Sequence, residues 1–343
     1  MSYNVAVVGA TGAVGREMLQ TLAERKFPAA KVYALASSNS AGREISYGED
    51  EVIKVQSLDS FDFSSADIAL FSAGGDTAKA YAPKAGEAGC IVIDNSSAFR
   101  MDDDVPLIVP EVNPDTVTAM LKENGGRNII ANPNCSTIQM LVALKPIYDA
   151  VGISRINVAT YQAVSGTGKE GIEELATQTA KLLNGQAIEC KVYPKQIAFN
   201  LLPHIDTFQD NGYTREEMKM VWETRKIFED ESIEVNPTCV RVPVFYGHSE
   251  AIHIETDSKL TAEDARQLLS AAPGVTVIDE QRDGGYSTPV GDAAGTDPVY
   301  VSRIREDISH PLGLNLWVVS DNVRKGAALN SVQIAELLAR SYL

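Results

Sequence analysis

The first third of the chain alternates short apolar runs with helical patterns, and few folds accept that alternation. Val5-Ala6-Val7-Val8, Val32 to Ala36, Ile68 to Phe71 and Ile91 to Ile93 read as strands. Val14 to Leu22 and Thr77 to Ala88 read as helices. Strands apolar throughout are buried on both faces, so the pattern predicts a parallel sheet covered by helices on each side. Ile129-Ile130-Ala131 closes this unit near Asn132.

The pattern then changes. Ser136 to Tyr148, Gly171 to Leu183, Arg215 to Phe228 and Thr261 to Ala271 read as helices. Ile156 to Ala163, Val240 to Tyr246, Ala251 to Thr256 and Leu316 to Val319 read as strands of a half-buried sheet. That combination predicts an α+β domain with a mixed or antiparallel sheet. A Gly-rich loop spans 283–297, and Ala327 to Leu338 is an amphipathic helix. A length of 343 residues agrees with about two domains.

Charge narrows the partners. The chain has 30 basic and 46 acidic residues, a net charge of −16. Such a field repels phosphate polymers, so neither nucleic acid nor an anionic membrane is an expected partner. It leaves open a local anion site built from a few cations and backbone amides. No run of 18 apolar residues occurs, and the first residues lack a basic segment, so neither a membrane span nor a signal peptide is expected. Cys90, Cys135, Cys190 and Cys239 include no CxxC pair. The expected setting is cytoplasmic, with reduced thiols and no metal site.

Gly9-Ala10-Thr11-Gly12-Ala13-Val14-Gly15 lies between the first strand and the first helix. Glycines there permit a tight turn, and a helix N-terminus accepts a pyrophosphate. The other reading is a purely structural turn. After the second strand stands Ser37-Ser38-Asn39-Ser40-Ala41-Gly42-Arg43, with no carboxylate to hold ribose hydroxyls. Hydroxyls and a nearby Arg favour NADP over NAD, the other reading being an ordinary polar turn. Ser72-Ala73-Gly74-Gly75 ends another strand and lets backbone approach the cofactor's other half. None of the twelve tyrosines is followed four residues later by Lys, which excludes the short-chain dehydrogenase pattern.

Asn132-Pro133-Asn134-Cys135-Ser136-Thr137 follows a strand and precedes a helix. A thiol at a helix N-terminus meets unpaired amides and the positive end of the dipole, which favour thiolate. Cys135 is therefore a candidate nucleophile, the alternative being a buried structural cysteine. Cys90 reads as a core or strand-edge residue. Among four histidines, His248 follows the expected strand 240–246 and Gly247, and His253 falls on the next expected strand. Thr214-x-x-Glu217 is a capping box, which occupies Glu217 and leaves Glu216 free to share a helix face with Lys219, where the residues alone favour a solvated surface ion pair over a site.

Taken in order, these motifs resemble aspartate-β-semialdehyde dehydrogenase over almost the whole chain. The others that carry the resemblance are Asp94 to Arg100, Val109 to Asn113, Thr160 to Gly166, Glu216 to Lys219, Cys239 to Pro243, His248-Ser249-Glu250 and Trp317 to Gln333. The resemblance implies a Rossmann-type nucleotide-binding domain plus an α+β catalytic and dimerisation domain of the glyceraldehyde-3-phosphate dehydrogenase-like kind. The first would comprise 1–132 and 322–343, the second 133–321. It implies NADPH-dependent reductive dephosphorylation of aspartyl-4-phosphate to aspartate semialdehyde and phosphate, in lysine, methionine and threonine biosynthesis, by a homodimer or homotetramer.

Carried over by position, Cys135 is the nucleophile, His248 the acid–base group, and Gln162 orients the acyl group. Arg241 binds the substrate carboxylate and Glu216 its amino group. Arg100, Lys219 and Asn134 form the phosphate pocket. The cofactor falls to Gly9, Thr11, Gly12, Ala13, Val14, Ser37, Ser40, Ser72, Gly74, Thr77, Ser165, Gly166 and Asn322. Close relatives often carry Arg in the 37–40 turn, where this chain has Asn39. Two alternatives remain: an N-acetyl-γ-glutamyl-phosphate reductase, which needs no Glu for a free amino group, and a catalytically inactive NADP-binding regulator.

Overall fold

A computed structural model describes residues 1–49, 51–120 and 126–342. They form two compact units, Met1–Asn134 with Ala327–Leu343, and Cys135–Gly326.

The first unit is built on a seven-stranded sheet. Its strands are β1 (Tyr3–Val8), β2 (Ala29–Ala36), β3 (Glu44–Tyr47), β4 (Glu51–Ser57), β5 (Ile68–Phe71), β6 (Ile91–Asp94) and β7 (Ile129–Ala131), in the order β3-β4-β2-β1-β5-β6-β7. Only the β3–β4 pair is antiparallel. Helices α1 (Ala13–Glu24) and α2 (Gly75–Glu87) follow β1 and β5. The chain winds one way from β1 to β2 and the other way to β5, so the strand order reverses beside the C-terminal end of β1. In open α/β sheets that crevice is where ligands bind.

The core of this unit joins Val5, Val7, Ile68, Leu70 and Ile93 of the sheet to Met18, Leu19 and Leu22 of α1. Val332, Ile334, Ala335 and Leu338, from the C-terminal helix Leu329–Ser341, belong to the same core. Each of the Val, Ile, Leu and Met side chains contributes roughly 1.5–3 kcal/mol when fully buried, and Ala335 less. Arg25 adds an ion pair to Glu336 at 2.7 Å. The β3–β4 hairpin was not anticipated from sequence. Most of its residues are exposed or half-buried, so it carries no apolar run.

The second unit opens with α3 (Cys135–Val151), β8 (Ile153–Gln162), α4 (Lys169–Leu183) and α5 (Arg215–Phe228). Then come β9 (Glu234–Arg241), β10 (His248–Thr256), α6 (Ala262–Ala271), β11 (Val275–Val277), β12 (Val299–Glu306) and β13 (Gly313–Ser320). The sheet order is β11-β12-β13-β10-β8-β9. Pairs β8–β9 and β11–β12 are parallel and the rest antiparallel. One face packs on α3, α5 and α6. It presents Ile156, Val158, Thr160 and Gln162 of β8, and His248, Glu250, Ile252 and Ile254 of β10, all buried. Alternate residues (Asn157, Tyr161, Ala251, His253) are half-buried on the other face.

One expected strand is corrected. Of residues 240–246 only Val240 and Arg241 are strand, since β9 ends at Arg241. Pro243 supplies no ladder donor, and the carbonyls of Val244 and Phe245 accept instead from the amides of Val164 and Ser165. Gly247, at φ +88°, then turns the chain into β10. His248 thus begins β10 instead of following an earlier strand. His248 and His253 share β10 and, being an odd number of residues apart, point to opposite faces.

Candidate active site

The first unit carries the dinucleotide cradle. Gly9 has φ +81°, and a Cβ there would lie 2.5 Å from the Ser72 carbonyl oxygen. The ends of β1 and β5 therefore approach too closely for any side chain. At Gly15 a Cβ would lie 2.2 Å from the Gly9 carbonyl oxygen, so the third glycine lets α1 rest on the turn. Gly12, in extended backbone, precedes α1, and the first turn holds no acidic side chain. Its amides and dipole are left to an outside anion. Thr11, Ala13 and Val14 surround this opening. Gly74, also extended, precedes α2, whose first turn holds Asp76 and Thr77. After β2, Ser37 leads into the turn Ser38–Ser40, and the Ser40 amide donates to the Ser37 carbonyl at 2.9 Å. Ser37, Asn39 and Arg43 are exposed. These features fit a dinucleotide. Arg100 is buried in this unit and donates to the Asn95 carbonyl at 2.9 Å. Asn134, also buried, directly precedes α3.

The second unit carries a connected polar cluster. Cys135 is the first residue of α3 and half-buried. A Cβ at Gly326 would stand 2.6 Å from the Cys135 Cβ, so Gly326 admits the start of the helix. The other thiols differ. Cys90 is buried and pushed up to about 12 by desolvation and by Asp67. Burial and the nearby Glu216 raise Cys239 further. Cys190 is exposed.

His248 is completely buried. Its Nδ1 accepts a hydrogen bond from the Ala163 backbone N–H at 3.0 Å. A backbone N–H only donates, so the neutral ring carries its proton on Nε2. Nε2 has no partner among the described residues. Burial and, next, Arg241 lower the His248 pKa to about 3, against the pull of Glu216. The ring is neutral at physiological pH. A Cβ at Gly166 would lie 3.0 Å from Arg241 Nη1 and 3.5 Å from His248 Nε2, so Gly166 flanks both.

Arg241 ends β9 opposite Gln162 and donates to the Ala163 carbonyl at 2.7 Å. Gln162 donates to Glu216 Oε1 at 3.0 Å and accepts from the Thr160 hydroxyl at 3.0 Å, which fixes its amide orientation. The capping box is present: Thr214 accepts from the Glu217 amide, and Glu217 accepts from the Thr214 amide at 2.7 Å. Glu216, buried, accepts from Lys219 Nζ at 3.0 Å, so the pair is not a solvated surface one. Lys219 also donates to Asp206 at 2.8 Å. Burial works against its ammonium, but Glu216 and Asp206 hold its pKa above the ordinary value. Asn322 exchanges hydrogen bonds with Ser165 and accepts from the Gly247 amide at 3.0 Å.

Sequence reasoning missed Ala163, whose backbone holds both His248 and Arg241, and Asp206, which neutralises Lys219. Neither has a residue-type signal. Ala163 acts through its peptide groups, and Asp206 sits in a left-handed turn at φ +68°. His253, the other histidine of β10, bonds Asp307 at 2.7 Å on the far face of the sheet.

The fold and this site define a phosphorylating semialdehyde dehydrogenase. Residues 4–120 match the family model "Semialdehyde dehydrogenase, NAD binding domain", and residues 144–325 match "Semialdehyde dehydrogenase, dimerisation domain". The chain belongs to the aspartate-semialdehyde dehydrogenase family. It is 63% identical over 340 residues to that enzyme from Legionella pneumophila, covering 99% of this chain and 96% of the relative. Its fold matches aspartate semialdehyde dehydrogenase II of Vibrio cholerae, complexed with ASA, with TM-score 0.96, 58% identity and full coverage of both chains. It matches the Candida albicans enzyme with NADP at TM-score 0.76 and 29% identity, covering 99% of each chain.

Proposed function

We propose that the chain converts L-aspartyl-4-phosphate to L-aspartate 4-semialdehyde and phosphate at the expense of NADPH. The observation that carries this is the linked set His248, Arg241, Gln162 and Glu216, on the face of the sheet that packs on the helix begun by Cys135.

Cys135 attacks the acyl-phosphate carbonyl as thiolate, in a position where helix amides favour an anion. The Nε2–H of His248 donates to the carbonyl oxygen as it gains charge. Collapse of the tetrahedral species expels phosphate and leaves a thioester on Cys135. When bound, the reduced nicotinamide supplies the hydride that reduces this thioester. His248 shares its Nε2 proton with the resulting alkoxide and regains it as the C–S bond breaks. Aldehyde and thiolate are then released, so the proton count closes.

Arg241 suits the substrate carboxylate, since its fork binds bidentately. Glu216 suits the α-ammonium and disfavours an acetylated amino group, which argues against the acetylglutamyl-phosphate reductase. Gln162 orients the acyl group. Arg100, Asn134 and Lys219 hold the phosphate. Gly9, Thr11, Gly12, Ala13 and Val14 hold the pyrophosphate, Ser37 and Ser40 the ribose phosphate, and Ser72, Gly74, Thr77, Ser165, Gly166 and Asn322 the remainder of the cofactor. The enzyme acts in the cytoplasm as a homodimer or homotetramer, in keeping with the family description of its second unit.

The test is a spectrophotometric assay with aspartate semialdehyde, phosphate and either oxidised dinucleotide. Reduction that requires both phosphate and aldehyde supports the reading. Reduction without phosphate, or none with intact protein, sinks it.

A further inference from the structure

Between α3 and β10 lies a buried pair of side chains that the chemistry above does not use. Glu250 has no solvent exposure and stands two residues beyond His248, on the same face of β10. Gln139 is 1% exposed and lies one turn beyond Cys135 on α3. The Gln139 amide acts on the Glu250 carboxyl. Yet neither carboxyl oxygen, and neither amide atom of Gln139, completes a hydrogen bond to a described residue. Four buried polar atoms are thus left to one another. A buried polar atom left without a partner is strongly disfavoured.

Across the sheet Glu250 is in register with Thr160 of β8 and Val318 of β13. The Thr160 hydroxyl is already given to Gln162. The titratable groups nearby are His248 on the same strand and the Cys239 thiol on β9, which feels Glu250 together with Glu216 and Glu217 of α5. Among the described residues no cation acts on the Glu250 carboxyl, and burial holds its pKa well above the carboxylate range.

Donor counting decides how the four atoms combine. A carboxylate has acceptors only, so it can use the Gln139 NH2 but faces the Gln139 oxygen with repulsion. A carboxylic acid carries one donor and one acceptor. It matches a carboxamide atom for atom, with O–H to the amide oxygen and N–H to the acid carbonyl. One ring of two hydrogen bonds then satisfies the set, after a small rotamer adjustment.

We propose that Glu250 stands as a neutral carboxylic acid doubly hydrogen-bonded to Gln139, and that this pair positions the Cys135 end of α3 against the His248 end of β10. The proposal rests on the roles given above to Cys135 and His248. Neutrality matters for those roles. An ionised Glu250 would favour imidazolium at His248 and oppose a thiolate on the facing helix. The neutral pair fixes both elements without adding charge.

The test uses the full-length protein. An infrared difference spectrum of wild type minus Glu250→Gln at pH 7 is expected to show a carboxylic-acid carbonyl band that shifts in D2O. Its absence overturns the neutral acid, and this readout does not depend on any role for Cys135. Glu250→Gln, which replaces the acid–amide ring with an amide–amide ring, retains the wild-type kcat and the wild-type pH profile of Cys135 alkylation by iodoacetamide. Glu250→Met, similar in volume but without hydrogen bonds, lowers kcat about tenfold or more at unchanged KM and displaces that profile. Equal losses in the Gln and Met variants overturn the proposal, and so does a Met variant with wild-type kcat and profile. The infrared band and the Gln variant decide the question even if the Met variant fails to fold.

Discussion

The Ala163 N–H donates to Nδ1 of His248 at 3.0 Å, while the carbonyl of the same residue accepts from Arg241 at 2.7 Å. One alanine thereby sets both a tautomer and a guanidinium. The bond to Nδ1 also disfavours the imidazolium, because a second N–H would then oppose the peptide N–H. In the proposed mechanism His248 acts from this neutral form, as a donor at Nε2. Ala163 has φ −64°, the angle that proline imposes. Ala163→Pro therefore removes the N–H with little backbone cost. We expect kcat to fall about tenfold or more, with KM for the dinucleotide little changed. An unchanged kcat would show that the tautomer does not matter.

Acid stability follows from the same residue. The His248 pKa is about 3 in the folded chain, against an ordinary value of 6.5. Below pH 6.5 the unfolded chain binds a proton that the folded chain refuses. The contribution of His248 is therefore fully present above pH 6.5 and is lost as pH falls toward 3. The slope is at most about 1.4 kcal/mol per pH unit. Urea unfolding of His248→Gln across this window should show a shallower loss of stability than wild type. Parallel curves would contradict a buried neutral ring.

In the proposed phosphate pocket, Lys219 competes with the carboxylates that already hold it, Glu216 and Asp206. Lys219→Ala should raise the KM for phosphate far more than the KM for the dinucleotide. Asp206→Asn removes one competitor and should lower the KM for phosphate, by about two- to fivefold if the exposed part of the pair contributes under 1 kcal/mol. Initial-rate kinetics with phosphate as the varied substrate measure both. Equal effects on phosphate and dinucleotide would remove Lys219 from the phosphate pocket.

Cofactor choice turns on the exposed Ser38–Ser40 turn, where Asn39 offers no charge to a ribose phosphate. NADP should be preferred over NAD in kcat/KM. Asn39→Arg should widen the preference about tenfold, because a guanidinium binds phosphate bidentately. Parity between the two cofactors in the wild type would mean that Ser37, Ser40 and Arg43 do not read the phosphate.

The parallel sheet of the first unit was legible because its central strands are apolar throughout. The β3–β4 hairpin was not, since exposed edge strands alternate weakly. Cys135 and the Glu216–Lys219 pair could be read from helix-start chemistry and i, i+3 spacing. The strand bounds around Arg241 and His248 were misplaced because Pro243 and Gly247 sit inside a run whose residue types favour strand. Glu250 was missed, because the expected strand began at Ala251 and left this carboxylate in the connection before it, whereas β10 begins at His248. The Ala163 clamp left no trace, because peptide groups do not appear in residue type.

The most direct test of the mechanism is a single-turnover experiment without phosphate. The wild type is mixed with aspartate semialdehyde and NADP, the reduced dinucleotide is counted against active sites, and the digested protein is weighed by mass spectrometry. The account predicts a burst of at most one NADPH per site and an aspartyl adduct on the Cys135 peptide that phosphate discharges, with neither in Cys135→Ala. A stoichiometric burst with the adduct on another residue, or one that survives in Cys135→Ala, would contradict it.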